Sequence, residues 1–196
     1  MKLKRLLYPF LLVCLFSTGT FAQKLMHSIG LTPTLLFGTS DDGYNSKVMI
    51  YQNMITYYPR FNFVENENSS ISIGAPVGVG FGLARTTDYS DVGISFSYDL
   101  PVALDYNIGC KSTSENEHYF GGYLGMGFGY YKVSISKSAY SDFSGATYGP
   151  MARAGVRIGS AKESWKGHGL TIGFFYKKGI EKAKFSSAGC NVLVDL

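Results

Sequence analysis

After its N-terminal segment the chain has no apolar run approaching the roughly 18 residues that a membrane-crossing helix needs. Its mean hydropathy is only +0.04. That excludes helical spans but not a barrel, because each barrel strand alternates and leaves only a weak hydropathy signal. Cysteine and histidine are scarce, with three of each, and tryptophan occurs once. No CxxC pattern and no Cys/His cluster is present, so no metal site is expected. The net charge of +4 includes Lys2, Lys4 and Arg5 of the N-terminal segment; removing those three from the 18 basic residues leaves 15 against 14 acidic ones. A balance so close to neutral excludes a basic nucleic-acid surface.

That segment has a basic start, an apolar stretch from Leu6 to Phe16 and a polar tail ending Thr20-Phe21-Ala22. It reads as a secretory signal peptide over 1–22, cleaved after Ala22, with the mature domain over 23–196. The apolar stretch is short for an uncleaved anchor and holds Pro9. Cys14 follows Val13 where a lipoprotein needs a small residue, so no lipid anchor is expected. Cys110 opens a polar turn and Cys190 lies in the final strand. In a meander these are not neighbours, and free thiols are expected.

What the chain does have is 24 Gly, 15 Tyr and 14 Phe. From Ile71 to Leu83 every odd position is apolar (Ile71, Ile73, Ala75, Val77, Val79, Phe81, Leu83), facing Ser72, Gly74, Pro76, Gly78, Gly80 and Gly82. From Val92 to Ile108 the even positions are apolar or aromatic, facing Gly93, Ser95, Ser97, Asp99, Pro101, Ala103, Asp105 and Asn107. A period of two is a strand. The non-apolar face is mostly Gly, Ser, Ala and Asp, not the Lys, Glu and Thr of a solvated sheet. Small polar residues suit the crowded interior of a narrow barrel, and a wholly apolar opposite face suits lipid.

The same pattern gives eight strands, near 24–37, 47–64, 71–83, 92–108, 119–133, 148–159, 168–178 and 184–196. An all-β, eight-stranded, antiparallel up-and-down transmembrane β-barrel is therefore expected. With both termini at the periplasmic end, 38–46, 85–91, 134–146 and 179–182 become outer loops, and 65–69, 109–118 and 160–167 become periplasmic turns. Tyr57, Phe61, Phe63, Tyr106 and Phe120 fall near the inner interface, and Phe37, Tyr51, Tyr130 and Tyr176 near the outer one, as two aromatic girdles.

On these residues the mature chain resembles the small outer-membrane β-barrel domain proteins of Bacteroidetes, similar in architecture to the OmpA and OmpX type. The resemblance rests on SYDLPVALDYNIG, Ser97 to Gly109, and on the closing Asn191-Val192-Leu193-Val194-Asp195-Leu196. It implies an outer-membrane location, lipid and lipopolysaccharide as surroundings, and insertion by the barrel-assembly machinery. The chain departs from the pattern at Leu196, where such proteins commonly end in an aromatic residue.

By parity Arg60, Asp99, Asp105, Arg153, Arg157, Lys177 and Asp195 point into the lumen, where interlocking ion pairs are expected because an unpaired interior charge is very costly. The rim carrying Lys177, Lys178, Lys182 and Lys184 is basic enough to hold lipid phosphates. His27, His118 and His168 all fall at the periplasmic end, away from any site built by the outer loops, so no catalytic residues and no cofactor are expected. The longest outer loop, SISKSAYSDFSGA, mixes Ser, Tyr, Asp and Gly and suits recognition of an extracellular protein or glycan. The functional expectation is a non-catalytic barrel with a structural, adhesive or surface-interaction role. Two alternatives stay open: a narrow pore for ions or small solutes, and a secreted soluble lipocalin-like barrel with its apolar face inward.

Overall fold

A computed structural model describes residues 25–39, 47–86, 89–136, 143–159, 168–180 and 185–196. The expected signal peptide and its cleavage after Ala22 lie outside the described residues. Nine strand segments run in order: β1 (Leu25–Thr39), β2 (Lys47–Asn66), β3 (Ser69–Gly74), β4 (Val77–Thr86), β5 (Tyr89–Gly109), β6 (Phe120–Ser136), β7 (Phe143–Gly159), β8 (Gly169–Lys177) and β9 (Ser186–Asp195). All pairings are antiparallel, and β1 pairs with both β2 and β9, which closes the sheet. Because β3 and β4 lie end to end between β2 and β5, the nine segments make eight staves.

The strand expected over 71–83 is thus split at Ala75-Pro76. Proline has no N–H to give to a ladder. The chain turns there instead: Val77 N–H bonds the Ala75 carbonyl at 2.8 Å, and Ala75 N–H bonds Pro59 at 3.0 Å. A second irregularity shifts the β2–β3 register between Asn62 and Val64. The bulge leaves both Phe63 and Val64 on the outer face. A third difference concerns the loop expected over 134–146. The β6–β7 ladder continues to Ile135 opposite Phe143, so that hairpin reaches further and only 137–142 fall outside the described residues. Val133 and Ile135 keep the alternation and point inward, which carries the strand on.

Side-chain parity divides the molecule. Outside sit Leu31, Phe81, Leu104, Leu124, Met126 and Phe174, drawn from five staves; Met126 is 69% exposed. Aromatic pairs edge this belt away from the termini: Tyr98 with Tyr130 at 6.1 Å between ring centroids, Phe128 with Tyr148 at 5.9 Å, Phe37 with Tyr176 at 6.4 Å. At the terminal end Tyr119 stands edge-on to Phe120 at 4.6 Å. An apolar band flanked by aromatics is the outer surface of a membrane barrel. The lipocalin-like alternative requires the opposite parity, and the buried side holds Arg60, Asp105, Arg153 and Arg157.

Depth in the bilayer sets the cost of a charge on the outer face. Met126→Arg, near mid-belt, is expected to lower folding stability in lipid vesicles by about 2–4 kcal/mol, and Ser144→Arg, near the loop end, by only about 0–1 kcal/mol. Urea titration of the two variants, followed by gel mobility without boiling, reads the difference.

Candidate functional site

Among the described residues, polar and charged side chains gather in the lumen. Glycine makes the room. A Cβ at Gly74 would overlap the Tyr58 ring, and one at Gly125 would overlap the Asp105 carboxylate, so the lumen glycines of β3 and β6 are the space those groups occupy.

From the terminal end upward the interior is layered. The first layer is a connection that folds back. Cys110, Lys111, Ser112 and Thr113, between β5 and β6, are all buried, although a solvated turn was expected. Gly109 (φ 69°) and Lys111 (φ 54°) take left-handed backbone to make the bend, a cost at a lysine that the bonds to its carbonyl offset. The Lys111 carbonyl accepts from Arg60 Nη2 and, at 3.5 Å, from Arg157 Nη1. The Ser112 carbonyl accepts from Asn62 Nδ2 at 2.9 Å and Ser70 Oγ at 2.5 Å. These four donors close the terminal end with backbone.

Above that turn Arg60 and Arg157 share one acceptor, Asn107 Oδ1, at 3.0 and 2.8 Å. Asp195 accepts from Ser28 and Thr171 hydroxyls, each at 2.6 Å. The expected ion-pair lattice is therefore replaced here by neutral partners: two guanidiniums hold amide and peptide oxygens, and the carboxylate holds hydroxyls. The next layer is ionic. Arg153 Nε lies 3.6 Å from Asp105 Oδ1, Tyr58 donates its hydroxyl to Asp105, and the guanidinium lies against the Tyr58 and Tyr123 rings, at 4.5 and 4.7 Å from their centroids. Arg157 also stacks on Tyr123, at 4.9 Å.

Higher still, Lys177 Nζ donates to Asp99 Oδ1 at 2.5 Å. Lys177 is 3% exposed, so it does not belong to the lipid-phosphate rim. Its stem packs inward because the β8 alternation puts it on the side of Thr171 and Gly173. Lys178 is exposed, and Lys182 and Lys184 lie outside the described residues. Gln52 follows, accepting from Ser97 and Tyr131 and donating to Ser95 at 3.2 Å. Leu36, Ile50, Ala84, Val133, Ile135 and Phe185 then fill the loop end as an apolar cap. Among the described residues, the turn fills the lumen at the terminal end and this cap fills it at the loop end.

All seven charged residues singled out from the sequence lie inside the barrel: Arg153 pairs with Asp105 and Lys177 with Asp99, while Arg60 and Arg157 hold neutral oxygens and Asp195 accepts from hydroxyls. Sequence reasoning missed Tyr58, Tyr123, Asn107 and the re-entrant turn. The parity of β2, β5 and β6 carried the first three; for the turn the available signal was a ten-residue connection where two residues join β2 to β3. His27 bonds the Tyr57 hydroxyl and His118 bonds Asn68 Oδ1, neither of them a serine or carboxylate partner. Among the described residues Cys110 and Cys190 are free, and no group of three metal-binding side chains is gathered.

No family model matches the sequence, and no curated protein matches it. Solved structures share its fold. The chain is similar to Ail, the attachment invasion locus protein of Yersinia pestis, solved with the heparin analogue sucrose octasulfate: 13% identity, TM-score 0.54, over 87% of this chain and 95% of that one. It is similar also to the outer membrane protein OprG from Pseudomonas aeruginosa: 11% identity, TM-score 0.53, over 89% and 93%. The fold is thus the eight-stranded up-and-down barrel of these outer-membrane proteins.

Removing one member of a buried pair leaves the other charge uncompensated. Asp105→Ala is expected to cost about 3–5 kcal/mol in urea unfolding. Asp99→Asn with Lys177→Met is expected to cost clearly less than the two single changes added together. Burial, with the Asp195 carboxylate adding to it, pushes the Cys110 thiol up from its ordinary value. In a Cys190→Ser background the pH midpoint of its alkylation should lie higher in the folded barrel than in urea. The stability tied to that neutral thiol is present below the ordinary thiol range and fades as pH rises through the elevated value.

Proposed function

We propose that the chain is an integral outer-membrane protein whose barrel is a closed, non-catalytic scaffold, with a structural, adhesive or surface-interaction role carried at the end opposite its termini. The observation that carries this reading is the combination of an apolar, aromatic-edged exterior with a lumen blocked by protein at both ends. A blocked lumen argues against the narrow pore, since eight strands leave room only for side chains. The two histidines with defined partners bond a tyrosine hydroxyl and an asparagine amide oxygen, not a serine or a carboxylate, which supports a non-catalytic role.

Lipid and lipopolysaccharide would surround the belt, with Lys178 the described residue of the basic rim placed to meet a lipid phosphate. The barrel-assembly machinery would insert it, and a signal peptide over 1–22 would export it. Ail has been solved with a sulfated sugar. By that analogy an anionic glycan is the first extracellular ligand class to try.

Sarkosyl fractionation with heat-modifiable gel mobility, followed by planar-bilayer recording of the purified protein, tests the reading. Recovery in the sarkosyl-insoluble fraction, a mobility shift on boiling and a silent bilayer are expected. Steady single-channel steps would favour the pore, and recovery in the soluble fraction would overturn the membrane assignment.

A further inference from the structure

Midway along the lumen, between the Arg153 layer and the Asp99–Lys177 pair, lies a cavity of about 20 Å³. That is room for one or two waters or one monatomic ion. Its wall includes Thr32, Thr56, Asp99, Arg153, Phe175 and Asn191. Arg153 is 3% exposed, and none of its three guanidinium nitrogens has a hydrogen-bond partner. Two tyrosine rings lie against the guanidinium, and its N–H groups point in its own plane, where a further partner would meet them. Asn191 Oδ1 in the same wall is also without a partner, but as an acceptor it is met by a donor and not by an anion. The Thr32 hydroxyl accepts from Thr56 at 2.8 Å, which leaves its own proton to donate. Asp99, the carboxylate in the wall, is already held by Lys177 at 2.5 Å.

Charge decides what fills the space. Among the described residues singled out above, Arg60, Arg153, Arg157 and Lys177 stand against Asp99, Asp105 and Asp195, four cations to three carboxylates. Water would satisfy the orphaned N–H groups and leave that charge uncompensated, whereas an anion answers both. We propose that the cavity holds a single small monovalent anion, a halide such as chloride, bound by the guanidinium of Arg153 and the hydroxyl of Thr32. The volume admits a halide and leaves no space for a phosphate or sulfate. Because the lumen is blocked at both ends, the ion is taken up as the barrel closes.

The mature chain is refolded and crystallised in bromide, and diffraction is collected at the bromine edge. One anomalous peak within hydrogen-bonding distance of an Arg153 Nη atom is expected, and its loss in Arg153→Gln. Should that variant fail to fold, Thr32→Val keeps the charge and removes one donor, and the peak is expected to weaken. In solution, the temperature at which the heat-modifiable band is lost should be a few degrees higher in chloride than in gluconate at equal ionic strength. A wild-type lumen with water and no bromide at Arg153 overturns the proposal, whatever the melting temperatures.

Discussion

Eight strands closed on themselves leave an interior filled by side chains, and every charge placed there must find its partner within a few ångströms. The rest of the structure follows from that constraint. Glycines stand where Tyr58 and Asp105 need room. Arg153 is held by one carboxylate and two aromatic faces, and Lys177 by Asp99. Where carboxylates run out, Arg60 and Arg157 recruit Asn107 and the carbonyl of a turn that bends back to meet them.

The re-entrant turn and the apolar cap solve the same problem at opposite ends by different means. At the terminal end the inward-pointing donors are guanidiniums, so peptide carbonyls meet them there. At the loop end the inward residues are Leu36, Ile50, Val133 and Ile135, so exclusion of water is enough. The ionic layers between are sealed from solvent on both sides.

Most of the fold could be read from the alternation, because a period of two fixes both the strand and its lipid face: Val102, Leu104 and Tyr106 declared the exterior, and Asp99 and Asp105 the interior. The break at Pro76 was visible as a residue and missed as an event, since apolar parity runs unbroken through Ala75 and Val77. The β6–β7 hairpin was cut short because Ser134, Ser136 and Ser144 resemble loop composition, yet Val133 and Ile135 keep the inward face going. Which charges would pair was not readable. Parity puts seven of them in the lumen, but register across β5, β6 and β7 decides that Arg153 meets Asp105 while Arg157 meets Asn107. Lys177 shows the limit most directly: it sits at a strand end, where a basic rim and an inward pair are equally compatible with the sequence.

The central claim is the sidedness of the wall, and spin-label accessibility along β5 in lipid vesicles tests it most directly. Nitroxides placed singly at Val102, Leu104, Tyr106 and Ile108 should collide freely with dissolved oxygen and hardly at all with a water-soluble nickel chelate. A label at Ala103 should meet neither. If the nickel chelate reaches the even-numbered set, or if oxygen favours Ala103 over its neighbours, the apolar face does not lie against lipid and the account fails.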